Sequence, residues 1–339
     1  MDINIIEKKC TVLLRRALSF EASDILIVPT NEEYSVYFRK YNRRIEIGKI
    51  PLILGDKMVS HFKYQSTLDI AEKRKPQSGA FQITEKNNVV SCRISTLPSI
   101  FLRESVVIRL MLQNVSSPLE KLCFNSKDAT ILKNLAHYSH GLIIFSGPTG
   151  CGKSTTMYSL LQHCSESLAK HVISLEDPVE NNQENLLQIQ VNERAGVTYA
   201  AGLKAILRHS PDVIMIGEIR DQETAKIAIE AALTGHLVMT TVHAKNSFGC
   251  LHRLLDLGVS STELKQSVLG VATQKLVTLK NDVEDLAAVF ELLMEDDLLD
   301  AFEALDSGSD YTLSEEKTIH NQIKRGIYNH EILPNALVT

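Results

Sequence analysis

The sequence predicts an α/β protein: a parallel sheet flanked by helices, preceded by a smaller α+β domain. Three observations predict it. Residues 147–155 read Gly-Pro-Thr-Gly-Cys-Gly-Lys-Ser-Thr, between the apolar run Leu142–Phe145 and the helix-like stretch Thr155–Leu161. From residue 141 to residue 241, strand-like and helix-like segments alternate, as they do when helices cover both faces of a parallel sheet. Residues 1–112 instead mix helical stretches with several short strands and end at a polar, proline-containing segment.

Taken in order, Glu7–Ser19 has apolar residues at helical spacing. Asp24–Val28 and Tyr34–Arg39 read as short strands joined by Pro29-Thr30-Asn31-Glu32. Lys57–Tyr64 and Ser66–Lys73 read as helices, and Gln77–Ala80 as a turn into strands Phe81–Thr84, Val89–Ser95 and Val106–Met111. The first domain is therefore placed at 1–112 and a linker at 113–125. The second domain is placed at 126–339, ending in a helical region. In it, strands are expected at Gly141–Phe145, Val172–Leu175, Leu187–Val191, Val213–Ile216 and Leu237–Thr241. Helices are expected after the glycine loop and at Tyr199–Arg208 and Glu223–Leu233.

Composition fits two ordinary globular domains. The chain has 339 residues, 44% hydrophobic and 23% charged, with 36 basic against 41 acidic side chains. The net charge of −5 speaks against a surface given over to nucleic acid. No apolar run approaches a membrane span, and Met1–Lys9 is of mixed charge without the apolar core of a signal peptide. The six cysteines form no C-x-x-C pair, so neither zinc nor a disulfide framework is indicated, and a cytoplasmic protein with reduced thiols is expected.

Gly147, Gly152, Lys153 and Ser154 fit G-x-x-x-x-G-K-[ST] in its strand–loop–helix context. Gly147, Pro148, Thr149, Gly150, Cys151, Gly152, Lys153, Ser154 and Thr155 are the candidate ATP-binding residues. Glycines let the backbone wrap phosphates, and the loop N–H groups and helix N-terminus supply positive potential. Lys153 reaches the β/γ-phosphates and the Ser154 hydroxyl ligates Mg²⁺. Three stretches follow, each at the end of an expected strand, where ligands of parallel sheets sit. In Ser174–Glu180, carboxylates stand where they could orient water, accept a proton or hold Mg²⁺ through water; alone, such a stretch is usually a turn with solvated carboxylates. In Pro211–Asp221, an apolar strand ends in Gly217-Glu218, a Walker B arrangement. In Gly235–Ala244, two histidines flank a strand, and a histidine can donate to a γ-phosphate and sense its loss. His236, directly after a glycine, reads also as a helix-end cap.

These stretches, GPTGCGKSTT, LEDPVE, DVIMIGEIRD and GHLVMTTVHA, together with Gln190–Glu193 and Thr198–Arg208, resemble the secretion and type IV pilus ATPase superfamily. The resemblance covers about residues 20–295, more weakly in the first domain. It implies a RecA-like ATPase domain behind a PAS-like N-terminal domain, a homo-hexameric ring and ATP with Mg²⁺ held between subunits. Carried over, Glu180 is the base that activates water, and Glu218 is the acid on the metal side, acting on Mg²⁺ through water beside Ser154. His236 and His243 are sensors. Arg93 and Arg109 reach the nucleotide from the N-terminal domain, with Arg103 as a third; surface ion pairs are the plain alternative for these arginines. A four-cysteine zinc insert, usual in the longer members, is absent after Gln274–Val277, so no zinc is expected. The chain begins almost at the ATPase's own N-terminal domain.

A short member without zinc ligands resembles the competence ATPases of Gram-positive bacteria, which drive assembly of a pseudopilus for DNA uptake. The resemblance then implies a polytopic inner-membrane platform protein as partner and pseudopilins as indirect cargo. It also implies a cytoplasmic place at the membrane's inner face, and a domain rotation taken up by the linker at 113–125. Type II secretion and pilus retraction motors are the alternatives within the superfamily. A nucleic-acid translocase and a nucleotide-sensing regulator lie outside it, and direct nucleic-acid binding is not expected. The acidic run Glu295-Asp296-Asp297 reads as a solvated helix face.

Overall fold

The computed structural model describes residues 3–40, 43–85, 88–112, 117–280 and 286–334. The chain divides into two compact units, residues 1–115 with 180–182, and residues 116–179 with 183–339.

The first unit runs α1 (Ile3–Ser19), β1 (Asp24–Pro29), β2 (Glu33–Lys40), β3 (Arg43–Pro51), α2 (Leu52–Gln65), β4 (Gln77–Glu85), β5 (Asn88–Pro98) and β6 (Glu104–Leu112). Its six strands form one antiparallel sheet in the order β3-β2-β1-β6-β5-β4. Period-2 alternation sends Ile25 and Ile27, Val90, Cys92 and Ile94, and Val106 and Ile108 into one core, where they meet Leu14 and Ala17 of α1 and Phe62 of α2. Gly55 lets α2 lie close to the sheet: a Cβ there would sit 2.2 Å from the Tyr34 ring. Lys63, 1% exposed, donates to both oxygens of Glu104 at 2.8 and 2.9 Å and to the Glu72 carbonyl at 2.7 Å, so the buried charge is paired from three sides.

Two expectations for this unit are corrected. Ser66–Lys73 is not helical: α2 ends at Gln65, Thr67 takes φ +55°, and the Asp69 carboxylate accepts from the backbone N–H of Ala71 and Glu72, a local turn that competes with a helix. Gln77–Ala80 is not a turn but the start of β4, paired residue by residue with Thr96–Arg93. Strand β3, rich in charged residues and exposed along most of its length, carries too few apolar residues to announce itself.

The second unit runs α3 (Leu119–Leu122), α4 (Ser126–Leu135), β7 (Gly141–Ser146), α5 (Lys153–Gln162), β8 (Val172–Glu176), β9 (Leu187–Gln190), α6 (Tyr199–Ile206), β10 (Val213–Ile216), α7 (Gln222–Leu233), β11 (Leu237–Thr241), α8 (Ser247–Asp256), α9 (Ser261–Ser267), β12 (Val268–Thr278), β13 (Leu286–Met294), α10 (Glu295–Ser307) and α11 (Ile319–Tyr328). The sheet order is β13-β12-β7-β11-β10-β8-β9, and every neighbouring pair is parallel except β12–β13. The central strands are apolar throughout because both faces are covered. Leu142, Ile144, Ile214, Ile216 and Val238 pack under α6, α7, α8 and α10. Ile143, Phe145, Val213, Met215 and Met239 pack under α3, α4 and α5.

The tail expected as a helical region contains a strand. Leu286–Met294 pairs antiparallel with β12 along nine positions and extends the sheet before α10 begins at the acidic run. The expected linker is also folded in its second half: Leu119 is 1% exposed in the core beneath α5, and the Phe124 N–H donates to the Ala288 carbonyl at 2.8 Å. Residues 113–116 lie outside the described residues.

Asp128, in the first turn of α4, is 7% exposed, and its buried Oδ2 has no hydrogen-bond partner among the described residues. Burial pushes its carboxyl from 3.8 up to about 6. The fold therefore holds this proton more tightly than the unfolded chain does. Stability falls as pH rises through that window, and the penalty is complete above about pH 6. Asp128→Asn is expected to raise stability at pH 7.5 by about 1–2 kcal/mol, after deducting the helix-dipole contribution that the charge makes at this position. Thermal unfolding checks it: the gain should vanish near pH 4, and a gain independent of pH would contradict it.

Candidate functional site

The site starts where β7 stops. After Ser146 the chain curls through Gly147–Gly152, and Lys153 opens α5. Gly147 has φ +138°, and a Cβ on it would sit 2.4 Å from the Gln274 carbonyl oxygen and 2.8 Å from Cys151 Sγ, so only glycine fits against β12. On the other side, Pro148, Thr149 and Gly150 are exposed, and a Cβ on Gly150 would meet nothing within 4 Å. The loop is thus braced on one side and open on the other. Lys153 Nζ folds over it, donating to the carbonyls of Gly147 at 2.8 Å and Pro148 at 3.0 Å. Both acceptors are neutral; a phosphate oxygen is the stronger partner for an ammonium group. Ser154 is half-buried beside it and Thr155 is exposed.

The neighbouring strand ends converge on this loop. The Thr241 hydroxyl, at the end of β11, donates to the Gly217 carbonyl at 2.7 Å, the Ile219 N–H donates to the Thr241 carbonyl at 3.1 Å, and the Val242 N–H donates to the Phe145 carbonyl at 3.0 Å. These bonds tie the ends of β7, β11 and β10 together and hold Glu218 in place. Its carboxylate, 16% exposed, pairs with the Arg220 guanidinium and lies 3.6 Å from His243 Nε2. The Tyr199 hydroxyl lies against the same turn, 2.9 Å from where a Gly217 Cβ would be. Burial, then the charges of Glu218 and Asp177, push it well above the ordinary tyrosine range, so it stays a neutral donor among these acids.

Glu176, at the end of β8, is 3% exposed and accepts from Tyr158 of α5, from Ser174 Oγ at 2.6 Å and from Gln188 of β9 at 3.2 Å. It anchors the helix behind the loop to two strands. Asp177 and Glu180 are exposed beyond it, and Glu180 is grouped with the first unit.

Within the second unit, one sequence-predicted residue lies away from this cluster. His236 lies at the amino end of β11: its Nδ1 is 3.1 Å from the Ala231 carbonyl at the end of α7, and its own carbonyl accepts from Gly141 at the start of β7. Five strand residues at ~3.3 Å each separate it from the phosphate-loop end of the sheet. Within the chain it sits as a helix-end cap, as its place directly after Gly235 also suggested. The three candidate arginines belong to the first unit. Arg93 and Arg109 stand directly opposite each other on β5 and β6, both exposed, and Arg109 Nε lies 3.0 Å from Asp24 Oδ1. Arg103 Nε lies 3.4 Å from Asp56 Oδ1.

Sequence reasoning missed Gln274, Tyr199, Tyr158 and the buried role of Glu176. Each is an ordinary residue inside a regular element, and its importance comes from what it meets across the sheet. The six cysteines are free and buried, including Cys151 in the loop. Among the described residues, no group of three or more His, Cys, Asp or Glu side chains could hold a metal ion, and no helix is long and apolar enough to cross a membrane.

Residues 1–323 match the family described as type II/IV secretion system protein. Competence protein ComGA of Bacillus subtilis (strain 168) is 46% identical over 274 residues, which cover 81% of this chain and 77% of that protein. Type II secretion system protein E of Pectobacterium carotovorum subsp. carotovorum is 43% identical over 266 residues, 78% of this chain and 53% of that longer protein. Among solved structures, the pilus retraction motor PilT with bound ADP superposes with a TM-score of 0.76 at 23% identity, covering 96% of this chain and 94% of that one, a likeness of fold.

Proposed function

This chain belongs to the type II/IV secretion system protein family and hydrolyses ATP as a secretion or pilus traffic ATPase, and from that premise we propose that it powers assembly of a competence pseudopilus for DNA uptake. The observation that carries the finer reading is the 46% identity to a competence protein over 81% of the chain.

In this reading ATP lies in the loop Gly147–Thr155. Loop N–H groups and Lys153 hold the phosphates, and Ser154 with Glu218, the latter through water, holds Mg²⁺. The metal adds positive charge against the γ-phosphate; every other contribution comes from the chain. Glu180 takes a proton from the attacking water. His243 and Arg220, both beside Glu218, respond to the charge that leaves with the γ-phosphate. Arg93, Arg109 and Arg103, from the same chain's first unit or a neighbour's, meet the charge developing in the transition state. Arg109 must leave its Asp24 partner to do so, and because that carboxylate is 4% exposed and keeps the Ser23 hydroxyl as a donor, the exchange carries a cost that nucleotide binding has to offset. The ring is a homo-hexamer attached to the inner face of the membrane through a polytopic platform protein, and pseudopilins are moved indirectly. A type II secretion or pilus retraction motor is the second reading, favoured by the 43% identity to a type II secretion protein.

The assembly is tested with purified protein. In ATP and Mg²⁺ the mass in solution is expected to reach that of six copies, and a monomer at high concentration would contradict the ring. Added DNA is expected to leave the ATPase rate unchanged; stimulation would favour a nucleic-acid translocase instead.

A further inference from the structure

We propose that Gln274 is a positioning residue for the phosphate loop, fixing from β12 the direction in which the loop's N–H groups point; the proposal rests on reading that loop as the ATP site. Gln274 is 1% exposed, and both ends of its carboxamide are used. Nε2 donates to the Cys151 carbonyl at 2.7 Å, and Oε1 accepts from the Thr156 hydroxyl at 3.0 Å. Its backbone carbonyl is the group that would lie 2.4 Å from a Cβ on Gly147. One residue therefore touches the start of the loop, its last turn and the first turn of α5.

The consequence follows from the planarity of the peptide bond. In a trans peptide the C=O of one residue and the N–H of the next point in opposite directions. Drawing the Cys151 carbonyl toward β12 turns the Gly152 N–H away from β12, toward the open side of the loop where Pro148, Thr149 and Gly150 are exposed. That N–H is a donor for a phosphate oxygen at the helix N-terminus. Gly152, at φ +83°, is free to adopt other conformations, so without the brace this peptide is not held. The Thr156 bond sets the pitch of the first turn of α5 against the same side chain. Gln274 itself never meets nucleotide; it acts through Cys151, Gly152 and Thr156.

The test replaces Gln274 in the full chain and reads nucleotide binding apart from turnover. Gln274→Met keeps length and volume and removes both bonds. Gln274→Glu keeps the acceptor for Thr156 but sets a carboxylate against the Cys151 carbonyl. For both, the Kd for ADP and the KM for ATP are expected to rise together by about tenfold or more, with kcat changing less, because donors misplaced by a fraction of an ångström weaken binding first. Thr156→Val, which removes one of the two bonds, is expected to raise the same constants about threefold. A residue that only stabilised the fold would lower the unfolding temperature without nucleotide and leave the ADP-induced shift unchanged.

A folded Gln274→Met with ADP affinity within about twofold of wild type overturns the proposal. If that variant does not fold, Thr156→Val decides in the same way, unchanged constants overturning it. Wild-type protein that fails to bind ADP would overturn the reading of the loop as well, whereas wild-type binding with indifferent Gln274 variants overturns the brace alone.

Discussion

Lys153→Ala is expected to lower kcat/KM for ATP by at least about 10²–10³. Lys153 Nζ is a cation placed on the phosphate loop, within reach of its two first carbonyls. At a γ-phosphate it would face charge that grows in the transition state, where an ammonium excluded from bulk water is worth several kcal/mol. Its bonds go to the Gly147 and Pro148 carbonyls and the Cys151 sulfur, all within the loop itself, so the rest of the fold does not depend on it. Alanine also suits the first position of α5. The unfolding temperature without nucleotide should therefore stay within a few degrees of wild type while hydrolysis, measured as phosphate release, disappears. Near-normal hydrolysis by a folded variant would remove the loop from the reaction.

Glu180→Gln is expected to lower kcat by about 10²–10⁴ with little change in KM, because a general base acts in the transition state rather than in binding. The surrounding acids narrow the choice. Glu176 already accepts from Tyr158, Ser174 and Gln188 and is 3% exposed, so it is committed to anchoring α5 and is ill placed to take a proton from water. Glu218 is paired with Arg220 and faces His243, which suits a fixed charge near a metal more than a proton acceptor. Glu218→Gln should accordingly weaken Mg²⁺ dependence and raise KM as well as lower kcat. Single-turnover hydrolysis with varied Mg²⁺ separates the two variants. Wild-type rates in Glu180→Gln would end its role as the base and leave Asp177 as the exposed carboxylate nearest by sequence.

The parallel sheet was legible because its strands are buried on both faces, and runs such as Leu142–Phe145 and Val213–Ile216 have no other reading in an alternating pattern. The loop and the strand-end acids were legible because phosphate chemistry demands those residue types in that order. The rest was not, for physical reasons. Strand β3 is an edge strand with most residues in water, so it lacks the alternation that marks a strand. β13 is apolar enough to be a helix or a strand, and only its partner β12 decides. Ser66–Lys73 has helix-forming residues, but Asp69 and Thr67 turn the chain locally. That His236 and His243 lie at opposite ends of β11 was hidden because sequence adjacency conceals a separation of ~17 Å along five strand residues. Gln274 was invisible because a brace is defined by its two partners, Cys151 and Thr156, more than a hundred residues earlier.

The central claim, an ATP-driven motor for a DNA-uptake pseudopilus, is tested most directly by replacing the chromosomal gene with one encoding Lys153→Ala. Transformation frequency and surface pseudopili are scored at equal protein levels. The account predicts that both are lost with the variant and restored by the wild-type gene. Normal transformation in the Lys153→Ala strain, with a defect in secretion or motility instead, would contradict it and move the protein to another branch of its family.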